Sequence, residues 1–163
     1  MASNLPSGRT ILKERESKPL LEQLKKIHGF EELSHKSRVE LQRVKDSEIV
    51  LIDGEPVAVK TRNRIVPALV NTSVLEKMPR VTVDMGAVPH VAGGADIMAP
   101  GIRKIQGSFA ENDLVAIVDE KYGKFLAVGS SMLTAEALGV TKKGKVVLNL
   151  HYVGDEVWES MRS

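Results

Sequence analysis

Val83-Asp-Met-Gly-Ala87 and Gly93-Gly-Ala-Asp-Ile-Met-Ala-Pro-Gly-Ile102 are the stretches from which the architecture of this chain is read. Five glycines fall between Gly86 and Gly107, and the helical spacing of apolar residues that marks the earlier chain nearly vanishes. A segment so rich in residues without Cβ builds corners and close backbone approaches, not long helices. Runs of strand length surround it: Arg80–Asp84, Ile97–Met98, Leu114–Asp119, Lys124–Gly129 and Lys145–Leu150, with Tyr122-Gly123 and Lys143-Gly144 as turns. This spacing predicts a small barrel over residues 79–163. Two helical segments interrupt it, Ala87–Ala92 and Thr134–Leu138, the second capped by Thr134 and stopped at Gly139.

Upstream the pattern is different. Lys18–His28 places Leu20, Leu21, Leu24 and Ile27 on one helical face, with Gly29 as the stop. Arg38–Lys45, Glu48–Ile52 and Pro56–Lys60 read as strands of a small antiparallel sheet, the last two joined by a tight Asp53-Gly54 hairpin. Leu69, Val70, Val74 and Leu75 fall at helical spacing, so Ile65–Met78 is expected to close as a helix, and Met78-Pro79 is the expected boundary between domains 1–78 and 79–163.

The chain has 163 residues, 42% hydrophobic and 27% charged, enough for two small domains that bury roughly two-thirds of the unfolded surface. The absence of cysteine excludes a disulfide framework, a thiol nucleophile and thiolate metal sites. The longest apolar runs are far short of the ~20 residues of a membrane helix, and Met1–Ser17 is polar, so the expectation is a soluble protein of the cytoplasm. Net charge is only +2, but residues 1–78 hold 14 Lys/Arg against 11 Asp/Glu, and residues 79–163 hold 9 against 10. Lys60, Arg62 and Arg64 form a local positive spot of the kind that meets phosphates, although from charge alone a solvated hairpin loop is the preferred reading.

No catalytic constellation stands out. Gly93-Gly94 lacks the spacing of a dinucleotide fingerprint, and no glycine loop ends in Lys-Ser or Lys-Thr. His28, His35, His90 and His151 make no metal-like pattern, and His90 and His151 read as surface or edge histidines. Asp84 and Asp96 read as turn-fixing acceptors of backbone N–H bonds, not as a catalytic pair. Met85 and Met98 read as core residues, and Trp158 as a seal on one end of the barrel. No catalytic residue, metal or cofactor is expected.

The Gly-Ala-Asp-Ile-Met-x-Pro-Gly-Ile core, followed in order by Ala116-Ile-Val118, Ala127-Val-Gly129, Thr134-Ala-Glu136 and Gly144-Lys145, resembles the signature of the PUA domain, an RNA-binding module. With Asp53-Gly-Glu-Pro56 and Val66-Pro-Ala-Leu69 upstream and Asn149-Leu-His-Tyr-Val153, Asp155 and Trp158 at the end, the whole chain is similar to the malignant-T-cell-amplified sequence family, which is related to the N-terminal part of ligatin. The resemblance implies an α+β fold, a small N-terminal α/β pre-PUA domain followed by a C-terminal PUA β pseudo-barrel. It also implies an RNA surface at Gly86, Ala87 and Val88, then Gly93, Gly94 and Ala95, then Pro100, Gly101 and Ile102, with Arg103 and Lys104 at its edge. Glycines there let a sugar-phosphate backbone approach main-chain N–H groups, and a helix start offers partial positive charge.

By that resemblance the expected function is non-catalytic: a translation-linked RNA-binding protein contacting the small ribosomal subunit or tRNA. Its expected partners are structured RNA, rRNA or tRNA, and a translation initiation factor, with no membrane and a monomeric state. Lys60, Arg62 and Arg64 would be additional basic contacts. Two rivals stand beside this reading: an accessory of tRNA base modification related to transglycosylases or pseudouridine synthases, and a protein-interaction adaptor.

Overall fold

Strand β3 (Ser47–Ile52) is buried on both faces, and the N-terminal half is arranged around it. In this computed structural model, which describes residues 8–61 and 64–162, Val50 and Ile52 face one way into a cluster with Leu20, Leu21 and Leu24 of helix α1 (Glu14–Lys25). Ile49 and Leu51 face the other way into a second cluster. A strand covered on both sides has no use for a polar alternate, which is why Ile49–Ile52 is an unbroken apolar run. The sheet is a meander: β1 (Arg9–Ile11), β2 (Val39–Val44), β3, β4 (Glu55–Lys60) and β5 (Ile65–Pro67) are neighbours in chain order, all antiparallel. The hairpin between β3 and β4 turns at Asp53 and Gly54, both with positive φ, as Asp-Gly predicts.

The segment expected to form one helix from Ile65 to Met78 does not. Ile65–Pro67 pairs with β4, and only Thr72–Leu75 (α2) is helical. The sheet offers β4 a free edge, and Ile65 and Val66 put their side chains into the clusters on opposite faces, an alternation a helix cannot supply. Val70, one of the residues at helical spacing, is exposed.

The C-terminal half is one six-stranded sheet in the order β7 (Ile97–Met98), β11 (Lys145–Tyr152), β10 (Phe125–Ser131), β9 (Leu114–Asp119), β6 (Arg80–Val83), β8 (Ile102–Gln106). Its ladders are antiparallel except β6 with β9, which is parallel. Val81, Val83, Ile97, Val115, Ile117, Ala127 and Val147 fill the interior of this curled pseudo-barrel. Helix α3 (Val88–Val91) lies between β6 and β7, and α4 (Ala135–Val140) between β10 and β11, capped by Thr134 Oγ1, which accepts the Ala137 N–H at 3.1 Å.

The two halves share a core. Ala116 and Val128, on the outer face of the barrel, meet Ile49, Leu51, Val59, Val66, Leu69, Leu75 and Met78. Helix α5 (Glu156–Arg162) then returns from the barrel to pack on β2 and β3, so Val157 and Trp158 join this shared cluster. Trp158 therefore sits between the halves instead of sealing a barrel end. Its indole also carries the Arg162 guanidinium, 4.5 Å from the ring centroid.

His151 completes the junction and corrects its reading as a surface or edge residue. It is 1% exposed; its Nε2 accepts the Leu69 N–H at 3.1 Å, and its Nδ1 lies 2.7 Å from Asp155 Oδ2. An Nε2 that accepts leaves the proton on Nδ1, directed at the carboxylate. Burial pushes the Asp155 carboxyl up, but the hydrogen bond from His151 and the N–H groups of Trp158 and Tyr152 outweigh it and hold the group below its ordinary range.

Candidate nucleic-acid interface

Asp84, at the end of β6, ties two walls of a groove together. Its Oδ1 accepts the Ala87 N–H at 2.8 Å, and its own N–H donates to the Gly101 carbonyl at 2.9 Å. This joins the start of α3 to the tight turn Ala99–Gly101. The walls approach so closely that a Cβ on Gly101 would lie 3.3 Å from the Ala87 Cβ.

The opposite wall is held by Asn149 of β11. Its N–H donates to Asp96 Oδ1 at 2.8 Å, and its Nδ2 donates to the carbonyls of Val91 and Ala95 at 3.1 and 3.0 Å. Lys145 Nζ reaches Asp96 Oδ2 at 3.1 Å. Asp84 has the turn-fixing acceptor role expected of it, whereas Asp96 accepts across to β11 and not from its own turn.

Between these walls lies an open groove of about 560 Å³ with Ala87, Val91, Ile97, Met98 and Pro100 as its apolar lining, and Asp84, His90, Asp96 and Lys145 as its polar groups. Met98 is 50% exposed, and Met85 is exposed nearby in sequence; neither is the core residue that hydrophobicity alone implied.

Of the residues singled out in the sequence, Ala87, Ala95, Pro100 and Gly101 line the groove. Gly86 and Gly93 are exposed beside it. Val88 and Ile102 turn inward and pack on the barrel core. Gly94 has φ +90°, and a Cβ there would lie 2.9 Å from the Tyr152 ring, so the fold itself requires glycine.

Arg103 is already engaged. Its Nη2 lies 2.9 Å from Asp84 Oδ2, and its Nε lies 3.8 Å from Glu120. Lys104, next on β8, is exposed and has no partner among the described residues. The phosphate argument from a helix start does not hold, because α3 is four residues long and the Ala87 N–H belongs to Asp84. Asp84, His90, Asp96 and Lys145 are the polar groove residues that the sequence surface left out, and Val91, Ile97 and Met98 the apolar ones. Asn149, which positions a wall without lining it, was visible only as part of a terminal motif.

Lys60 and Arg64 of the positive spot upstream do not line the groove. Lys60 lies 4.0 Å from Glu48, while Arg64 crosses to the other half, donating to the Asn112 carbonyl at 2.5 Å and to Ser130 Oγ at 3.4 Å. Arg62 lies outside the described residues.

Residues 79–153 match the model of the PUA domain, and residues 8–72 match a domain of unknown function, DUF1947. The protein is thus a PUA-domain protein with a second, N-terminal module. An uncharacterised protein of Methanocaldococcus jannaschii is 39% identical over 126 residues, 76% of each chain. Translation machinery-associated protein 20 of Saccharomyces cerevisiae is 29% identical over 149 residues, 85% of this chain and 82% of its own. A PUA domain structure from Aeropyrum pernix superposes with a TM-score of 0.81 at 29% identity, covering 95% of this chain and 91% of that one. The chain belongs to the family that includes the malignant T-cell-amplified sequence proteins and translation machinery-associated protein 20.

Proposed function

We propose that this protein is a non-catalytic RNA-binding protein of the translation apparatus that seats unpaired nucleotides of structured RNA, tRNA or rRNA of the small ribosomal subunit, in the groove between α3, the Ala99–Gly101 turn and β7. The observation that carries this reading is the groove's division of labour. Ala87, Met98 and Pro100 offer an apolar surface to base faces over a floor of buried Val91 and Ile97, and Asp84, His90, Asp96 and Lys145 offer donors and acceptors to base edges. The names of the translation machinery-associated relatives support the cellular setting.

The test is co-sedimentation of the protein with small ribosomal subunits and with bulk tRNA across a salt series, comparing wild type with Ala95→Glu. Ala95 is exposed, so the substitution puts a carboxylate in the groove without disturbing the core. Salt-sensitive binding that the variant loses is the expected result. No binding of wild type at low salt would overturn the reading and leave an adaptor for a protein partner.

A further inference from the structure

The groove is poorly equipped to attract phosphate, since Asp84 holds Arg103 and Asp96 holds Lys145. A different cavity is better supplied. Where the two halves meet, a cleft of about 680 Å³ is lined from both sides, by Lys26, Arg64 and Lys77 before the junction and by Arg80 after it, against the carboxylates of Glu76 and Asp113. Four cations against two acids make it locally positive in a chain whose net charge is +2.

The cations are not spent on those acids. Lys26 and Lys77 are exposed and have no side-chain partner among the described residues. The Arg80 guanidinium lies 5.0 Å from the Phe125 ring centroid and donates to the Glu76 carbonyl at 3.4 Å. Among the described residues Arg64 is held by the Asn112 carbonyl and Ser130 Oγ through Nη1, with no partner at its other nitrogens. Asp113, by contrast, is engaged by the Ala110 N–H at 2.9 Å. His28 at the rim faces Glu31 at 2.9 Å.

We infer that this interdomain cleft is a second RNA contact, one that grips the phosphodiester backbone of the strand whose unpaired nucleotides occupy the groove. The proposal rests on the RNA-binding reading above and gives the missing electrostatic part of it. The cleft and the groove lie at opposite ends of the same two strands. Arg80 and Gln106 are at the cleft end of the β6–β8 ladder, and Val83 and Ile102 are at the groove end. Four or five residues of strand separate the sites by roughly 13–17 Å, a distance that one RNA strand can bridge. Lys104, exposed and unpartnered on β8, lies along this path. Backbone contacts of this kind position RNA without reading its sequence, while the groove deals with bases.

The experiment measures the affinity of the full chain for bulk tRNA against salt concentration, for wild type, Ala95→Glu, Lys26→Gln/Lys77→Gln and Lys26→Arg/Lys77→Arg. Unchanged thermal midpoints establish that the exposed substitutions leave the fold intact. The glutamine pair is expected to lower affinity by about tenfold at low salt and to reduce the slope of log K against log salt by about 1–2, while the arginine pair keeps the wild-type slope. If the glutamine pair binds with wild-type affinity and slope while Ala95→Glu loses binding, the cleft is not an RNA site and the groove reading stands. If wild type itself fails to bind at low salt, both readings fall.

Discussion

The five-stranded sheet and the six-stranded barrel meet the same burial problem with opposite chain orders. In the sheet every strand pairs with its sequence neighbour, and every ladder closes over a short loop except β1–β2, whose connection carries α1. In the barrel β6 pairs with β8 and, in parallel, with β9, and β11 crosses back to β7. Non-local pairing brings three separated segments, around Asp84, Asp96 and Asn149, to one groove, which a meander of this size cannot do. The sheet has a complementary role, covering the outside of the barrel, while the segments after α1, before β5 and after α2 supply one side of the basic cleft. Neither half is independent, because the cluster of Ile49, Leu51, Ala116, Val128 and Val157 belongs to both.

That dependence is tested most severely at His151. Replacing it with Ala leaves a cavity at the junction and a buried Leu69 N–H without an acceptor. The expected loss is about 3–5 kcal/mol in denaturant unfolding, together with separation of one transition into two. A single transition at the wild-type midpoint would show that the halves are coupled by the apolar cluster alone.

A smaller effect, confined to the barrel, is expected for Gly94→Ala, whose Cβ would meet the Tyr152 ring at a backbone angle that disfavours side chains. It should cost about 1–3 kcal/mol. If the junction transmits strain, a probe in the sheet, such as hydrogen exchange at Val50, will register the change; otherwise only barrel amides will.

The pH response sharpens the comparison further. The Asp155 carboxyl is held below its ordinary value in the folded state, so it adds stability at neutral pH that is lost as pH falls below the ordinary carboxylate range, near 4. Asp119, buried at the β9–β10 turn, titrates in the same direction: burial pushes it up, and the N–H groups of Tyr122 and Lys124 pull it further down. Asp155→Asn should therefore flatten the acid end of a stability–pH curve at the junction, while Asp119→Asn flattens it in the barrel. An unchanged curve in both variants would remove these carboxylates from the account.

The smallest effect is expected where the halves meet in water. Lys45 Nζ and Glu156 Oε1 lie 2.5 Å apart with both side chains exposed, and the carboxylate raises the Lys45 ammonium above its ordinary value. Glu156→Gln should leave the unfolding midpoint unmoved at physiological salt, since exposed pairs are screened and entropically costly. A measurable loss would mean that α5 is docked by charge as well as by Val157.

Much of this fold was legible in the chain. The Asp53-Gly54 hairpin, the Ile97–Met98 and Leu114–Asp119 strands and the Thr134 cap follow from local chemistry, and the structure has all of them. Local signals did not identify β5, because the apolar residues from Leu69 to Leu75 mimic a helix, and the edge of β4 that captures Ile65–Pro67 is not a local feature. Burial of His151 was invisible for the same reason: its partner Leu69 is 82 residues away. The groove was legible through its glycine-rich signature, which carried Ala87, Ala95, Pro100 and Gly101, but Lys145 enters it, and Asn149 comes to brace its wall, only through the β7–β11 pairing. Charge proved the least readable property. Arg103 looked available and is paired, whereas Lys26 and Lys77 become neighbours of one cleft only after the halves are joined.

Helix α5 imposes an order in time on a chain made from its N-terminus onward. Ile49 and Leu51 leave the ribosome long before Val157, the residue that helps to cover them, has been added. With Val157 added 108 residues after Ile49, a synthesis rate of about 5–20 residues per second leaves that apolar face without it for roughly 5–20 s. The nascent sheet, covered by α1 on one face and on the other only by Leu69, Leu75 and Met78, is during that interval a target for chaperones and for other unfinished chains.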